Sequence, residues 1–197
     1  MKTLLLVDLQ NDFVTGSLAV DGGGEVIDVA NKLMSDGGYD LVVATQDWHP
    51  AGHKSFASSH DDKSPGDAID LDGLEQMLWP DHCVQDTDGA AFCPGLDVGR
   101  IDEVVRKGTD PAVDSYSGFF DNGHRHATGL ADLLRDRGAG DIDVMGLATD
   151  YCVRYTVLDA LKLGHGVRLL ADGCRAVDSA GGGQAIEAMK AAGAEVL

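Results

Sequence analysis

The chain alternates short apolar runs with longer segments whose apolar residues recur every three or four positions. Residues 3–7 (TLLLV) are continuously apolar and stop at Asp8, the pattern of a central parallel strand buried on both faces. Residues 25–34 follow with Val26, Val29, Ala30 and Leu33 on one helical face, and Gly37-Gly38 ends the segment. The alternation then repeats, with strands expected over 41–44, 101–105, 142–147 and 167–171, and a last strand beginning at 195–197. Helices are expected over 127–137, 151–163 and 184–192; Thr149-Asp150 supplies a cap for the second of these and Gly164 closes it. Such strand–helix alternation predicts an α/β fold, a parallel sheet with helices on both faces joined by right-handed crossovers. The stretch 51–98 is rich in Asp, Gly, His and Pro and has little periodicity. It is too long for an ordinary connection, so it reads as a functional insertion with short elements of its own. No repeat or linker divides the chain, and residues 1–197 read as a single domain.

Composition narrows the class. With 44% hydrophobic residues in 197, the chain has enough apolar material for a buried core. No apolar run approaches the roughly 20 residues that span a bilayer, and the N-terminal run is shorter than the roughly 7–15 residues of a signal-peptide core. A cytoplasmic protein is the expectation. The formal charge of -18, from 33 acidic against 15 basic residues, argues against nucleic acid and anionic membranes as partners. The acidic residues, mostly Asp, are dispersed, as on proteins of salt-rich cytoplasm where counterions screen self-repulsion. Four cysteines, Cys83, Cys93, Cys152 and Cys174, form no CxxC pair and no disulfide framework.

Candidate chemistry gathers at the strand ends. In an open parallel sheet, ligands bind beyond the carboxyl ends of the strands. Asp8 ends the first strand, Asp47 and His49 follow the second, Lys107 ends the third, and Cys152 lies just past the fourth. Each has a bland reading alone: a capping Asp, a loop His, a surface Lys, a buried Cys. Together they are a constellation. Cys152 falls in the first turn of a helix, where free N–H groups and the dipole favour a thiolate. Asp8 then serves as proton acceptor, Lys107 keeps both Asp8 and Cys152 charged, and the N–H groups around Ala148 and Cys152 form an oxyanion hole. Asp47, His49 and His82 suit an open site for one divalent metal ion, Zn, Fe or Mn. His53, four residues after His49, suits either an extra ligand or a residue behind the ligands. His60, His124, His126 and His165 read as solvated loop residues.

The motifs VDLQNDF (7–13), ATQDWHPAGHKSFAS (44–58), WPDHCV (79–84), KGTDPAVDSYSGFFDN (107–122) and GLATDYCV (146–153) resemble those of nicotinamidase/pyrazinamidase, within the isochorismatase-like hydrolase superfamily. The resemblance implies a three-layer αβα sandwich around a six-stranded parallel sheet. It implies a catalytic triad of Asp8, Lys107 and Cys152 and a metal held by Asp47, His49 and His82. It further implies that Phe13, Trp79 and Tyr116 enclose the substrate ring and that the Leu147–Ala148 peptide is cis. The expected activity is hydrolysis of nicotinamide to nicotinate and ammonia through a cysteine thioester, in NAD salvage, with Zn the leading metal. The alternatives are another superfamily hydrolase acting on a different small amide or on a vinyl ether, and a non-catalytic metal-binding scaffold. Homo-oligomerisation is left open, and the 60–78 segment carries no readable motif.

Overall fold

A computed structural model describes all residues, Met1–Leu197. Six strands, β1 (Thr3–Val7), β2 (Leu41–Asp47), β5 (Glu103–Lys107), β6 (Ile142–Leu147), β7 (Val167–Arg175) and β8 (Glu195–Val196), form one sheet in the order β5-β2-β1-β6-β7-β8. Every pairing in it is parallel. β1, β2 and β6 are buried along their whole length, which is why their sequences are dominated by apolar residues. Helices α1 (Asn11–Val14), α2 (Glu25–Asp36), α3 (Leu130–Arg137), α4 (Arg154–Lys162) and α5 (Ser179–Ala192) connect and flank the strands. The result is the expected αβα sandwich. No helix is long and apolar enough to cross a membrane.

Several boundaries differ from the expectations, each for a local reason. β2 runs on to Asp47, because Thr45, Gln46 and Asp47 are paired with β5 and spend their side chains inside the protein. β5 begins two residues later than 101 and ends on Lys107, in register with Asp47. α3 starts at Leu130, not 127: Ala127 bridges to Phe120, and the Thr128 hydroxyl accepts the Leu130 N–H at 3.2 Å. α5 starts at Ser179, ahead of the expected 184, where the Asp178 carboxylate caps the Gly181 N–H at 2.6 Å. Three glycines in its first turns conceal that helix from any propensity argument.

Two features shape the site. The segment 60–78 contains a hairpin, β3 (Ala68–Leu71) and β4 (Leu74–Met77), turned by Asp72 (φ 54°) and Gly73 (φ 80°). Both central residues have positive φ, so Asp-Gly between two short strands is a type I′ hairpin signal, and it stands in the sequence. The segment beyond β6 does not begin as an α-helix. Thr149–Val153 is a π-helical turn, with the Val153 N–H reaching the Ala148 carbonyl at 3.1 Å, and α4 follows from Arg154. The Leu147–Ala148 peptide is cis.

Candidate active site and metal centre

The parallel register carries the polar residues to one rim. Asp47 and Lys107 are direct cross-strand partners at the ends of β2 and β5. Asp8 follows β1 on their inner side, and Cys152 arrives from the π-helical turn. Asp8 and Lys107 are 0% and 1% exposed, so their charges must be settled by one another. Lys107 Nζ has three hydrogens and three acceptors: Asp47 Oδ1 at 2.6 Å, the Ser115 carbonyl at 3.0 Å and Cys152 Sγ at 3.3 Å. Nζ also lies 2.8 Å from Asp8 Oδ2, an ion-pair contact that is not aligned as a hydrogen bond. Asp8 Oδ2 therefore feels the charge yet has no donor, and it is free to take a proton. The other oxygen, Oδ1, is held by the Thr45 hydroxyl at 2.7 Å, and the same hydroxyl accepts the Asp8 N–H at 3.2 Å.

The electrostatics correct one expectation. Burial pushes the Cys152 thiol well above its ordinary range; Lys107 opposes this, while Asp8 and Asp47 reinforce it. Asp8 is likewise raised, by burial with Asp47 adding, against the pull of Lys107. Burial disfavours Lys107's cation, but Asp47, Asp8 and Cys152 more than offset that and hold its pKa well above the usual value. Burial also acts against the Asp47 carboxylate, yet Lys107 and His49 keep it well below the usual range. The resting centre is thus a Lys107–Asp47 ion pair with a neutral thiol beside Asp8, not a preformed thiolate. A helix start alone does not outweigh the desolvation of a fully buried sulfur.

Asp47, His49 and His82 lie with their donor atoms within 4.8 Å of one another, all buried. His49 Nδ1 is 2.9 Å from the Gly108 carbonyl and His82 Nδ1 is 2.8 Å from the Pro80 carbonyl. A carbonyl only accepts, so both Nδ1 atoms carry the hydrogen and both Nε2 lone pairs face inward. They face Asp47 Oδ2, at 3.5 and 3.7 Å, and His49 Nε2 is buried without a partner. In the neutral rings, two lone pairs and a carboxylate oxygen are turned on one point, and this imidazole–carboxylate donor set fits a divalent metal. Gly108 makes this possible: its φ is +65°, and a Cβ would strike the His49 ring. His53 differs. Its Nδ1 accepts the Ser55 N–H at 3.1 Å, so in the neutral ring Nε2 carries the hydrogen. Burial and the adjacent His49 keep it neutral, with ring centroids 4.5 Å apart. His53 stands behind the cluster.

Both groups open on one pocket. Asp47, His82, Ala148 and Cys152 line it, together with Phe13, Trp79 and Tyr116. The Ala148 N–H takes part in none of the backbone hydrogen bonds. Tyr151 joins the wall, edge-on to Trp79 at 4.7 Å and to Tyr116 at 5.4 Å. His60, His124, His126 and His165 sit in loops away from this pocket.

Several contributors escape the sequence reading. Tyr151 reads there as a helical residue beside the cysteine. Gln10 is 0% exposed; its Nε2 donates to the Asp47 carbonyl at 2.8 Å and its Oε1 accepts the Asp47 N–H at 2.8 Å. It thus clamps the backbone of a metal-facing residue. Thr45 and Asp114 are also in place, the first on Asp8 and the second on the pocket wall. The available signal is that Gln10, Thr45, Asp114 and Tyr151 all lie inside the quoted motifs, Thr45 directly after the apolar run of β2.

The isochorismatase-domain family pattern matches residues 2–197. The nicotinamidase of Escherichia coli (strain K12) is 54% identical over 182 residues, covering 90% of this chain and 84% of that protein. The solved nicotinamidase/pyrazinamidase of Acinetobacter baumanii superposes with a TM-score of 0.95 at 40% identity, covering 100% of this chain and 95% of that one. A Pyrococcus horikoshii pyrazinamidase solved with zinc is 36% identical with a TM-score of 0.81, covering 100% and 98%. The chain belongs to the isochorismatase-domain family, in its nicotinamidase/pyrazinamidase branch.

Proposed function

We propose that the protein hydrolyses nicotinamide to nicotinate and ammonia, as a cytoplasmic step of NAD salvage, with Cys152 as the nucleophile. The observation that carries this reading is that Cys152 and the metal-facing Asp47 and His82 line one aromatic pocket. A flat ring amide held between them meets the sulfur at its carbonyl and the metal-facing donors at its ring nitrogen. Asp8 Oδ2, with no donor of its own, takes the Cys152 proton. The sulfur attacks the amide carbon, and the carbonyl electron pair moves onto oxygen, which the N–H groups of Ala148 and Cys152 receive. As the C–N bond breaks, the Asp8 proton passes to the leaving nitrogen and ammonia departs, leaving a thioester. Water then gives a proton to Asp8 and attacks the thioester carbon. The C–S bond breaks, the proton returns to sulfur, and nicotinate leaves. Lys107 stays cationic throughout and lowers the cost of each negative charge that appears on Sγ or Asp8. Asp47, His49 and His82 would hold the metal, with zinc the leading candidate and iron or manganese suited to the same donors. When bound, the metal supplies a Lewis-acid site that takes the ring nitrogen, directly or through water. Phe13, Trp79 and Tyr116 enclose the ring.

The test compares ammonia release from nicotinamide, pyrazinamide and benzamide, before and after dialysis against a chelator. The two heteroaromatic amides should turn over and benzamide, which lacks the ring nitrogen, should fall at least tenfold behind. Chelation should remove bound metal and abolish nicotinamide turnover, and zinc should restore it. Equal rates on all three amides, unaffected by metal loss, would overturn the metal's part.

A further inference from the structure

The hairpin β3–β4 has one buried residue on its two strands. Gln76 is 2% exposed while its neighbours face solvent or sit at the margin. A polar amide buried under a solvated hairpin is costly unless its hydrogen-bonding groups are used, and here they are. Gln76 Nε2 lies 2.7 Å from the Met77 carbonyl, 3.1 Å from Asp114 Oδ2 and 3.0 Å from the Tyr116 hydroxyl. Gln76 Oε1 faces the Asn122 side-chain N–H at 3.4 Å. Acceptors around the nitrogen and a donor at the oxygen fix the amide's orientation.

These partners are the wall of the pocket. Asp114 and Tyr116 line it; Gln76 does not, and stands directly behind them. The Tyr116 hydroxyl also accepts Trp79 Nε1–H at 3.2 Å, and the Tyr116 backbone N–H donates to Asn122 Oδ1 at 2.9 Å. Gln76 therefore ties together the acid, the Tyr and, through the Tyr oxygen, the Trp that bound the slot. The hairpin that carries it is fastened at its tip, where Arg125 reaches the Asp72 carboxylate at 2.5 Å and the Asp72 carbonyl at 2.8 Å. Gln76 makes no hydrogen bond to Asp8 or Cys152.

We infer that Gln76 is a specificity-determining positioning residue: from the hairpin it fixes Tyr116 and Asp114, and so sets the width of the slot that selects a flat ring amide. The inference rests on the proposed hydrolysis of nicotinamide but concerns binding of the ring, not the chemistry. Losing the N–H donors loosens Tyr116 and weakens ring binding equally before and during reaction, which raises KM and spares kcat.

The decisive variant is Gln76→Met, which keeps length and apolar bulk and removes only the amide. KM for nicotinamide should rise about tenfold with kcat within about threefold of wild type, the loss of roughly one well-made buried hydrogen bond. A slow non-aromatic amide such as acetamide should show no comparable change, so discrimination for the ring falls. Arg125→Ala, which frees the hairpin tip far from the pocket, should shift KM the same way by less. Nicotinamide Kd by equilibrium dialysis, measured with and without Gln76→Met in a Cys152→Ala background, reads the same ratio without turnover, so failure of the hydrolysis reading is distinguishable from failure of this one. Wild-type KM and Kd in Gln76→Met would show that the side chain merely fills space. A fall in kcat at unchanged KM, or an equal change for acetamide, would also overturn the inference.

Discussion

Cys152→Ala should lose ammonia release by a factor on the order of 10⁴ or more, as nucleophile deletions do in hydrolases that act through a covalent intermediate. The fold should survive it. Cys152 is only one small side chain in a turn fixed by other bonds, among them Val153 N–H to Ala148 and the Asp150 carboxylate on the N–H groups of Val177 and Asp178 at 3.0 and 2.9 Å. Bound metal should also remain, since Asp47, His49 and His82 do not depend on the sulfur. The comparison is ammonia release at saturating nicotinamide, with circular dichroism and metal content recorded on the same sample. Turnover within tenfold of wild type would rule out a covalent route through this residue.

Lys107→Met should be the other large effect, and it should strike stability and activity together. Lys107 is the one cation among Asp8, Asp47 and the sulfur, and it contacts all three as well as the Ser115 carbonyl. Its removal leaves two buried carboxylates without their counter-charge, a loss of about 3–5 kcal/mol in comparable cases. For a chain of this size that corresponds to a fall in Tm of roughly 10 °C. Activity should fall by roughly 10³-fold even at temperatures where the variant is folded, because neither Asp8 nor the thiol can then carry negative charge cheaply. Thermal melts and steady-state rates at low temperature separate the two effects. A variant that melts like wild type would mean the buried carboxylates are neutralised some other way.

Much of the site was legible because the fold itself is legible. Asp8, Asp47, Lys107 and Cys152 each stand where an apolar run stops, and parallel strands bring all such ends to one rim. What escaped is set by partners far along the chain. Thr45 acquires its meaning from Asp8, Gln10 from Asp47, and Gln76 from Asp114 and Tyr116, pairings separated by 37 and 38 residues or more. No local pattern reports such contacts. The β3–β4 hairpin is a different case: Asp72-Gly73 is a local signal, but its exposed strands lack the apolar alternation that would draw the eye to it. The ionisation of Cys152 was misread for a physical reason. Helix-start geometry is visible in sequence, whereas complete desolvation of the sulfur is a property of the packed structure. The consequence is mechanistic: the proton must leave the thiol during the reaction, and Asp8 Oδ2 is the atom left free to receive it.

The account's central claim is a cysteine-dependent hydrolysis of a ring amide in one metal-bearing pocket. Ammonia release from nicotinamide by the zinc-loaded wild-type protein, beside Cys152→Ala at the same concentration, tests it most directly. The account predicts steady release by the first, with one nicotinate formed per ammonia, and none above background by the second. Absence of release by the folded, metal-bearing wild type, or equal release by both proteins, would contradict it.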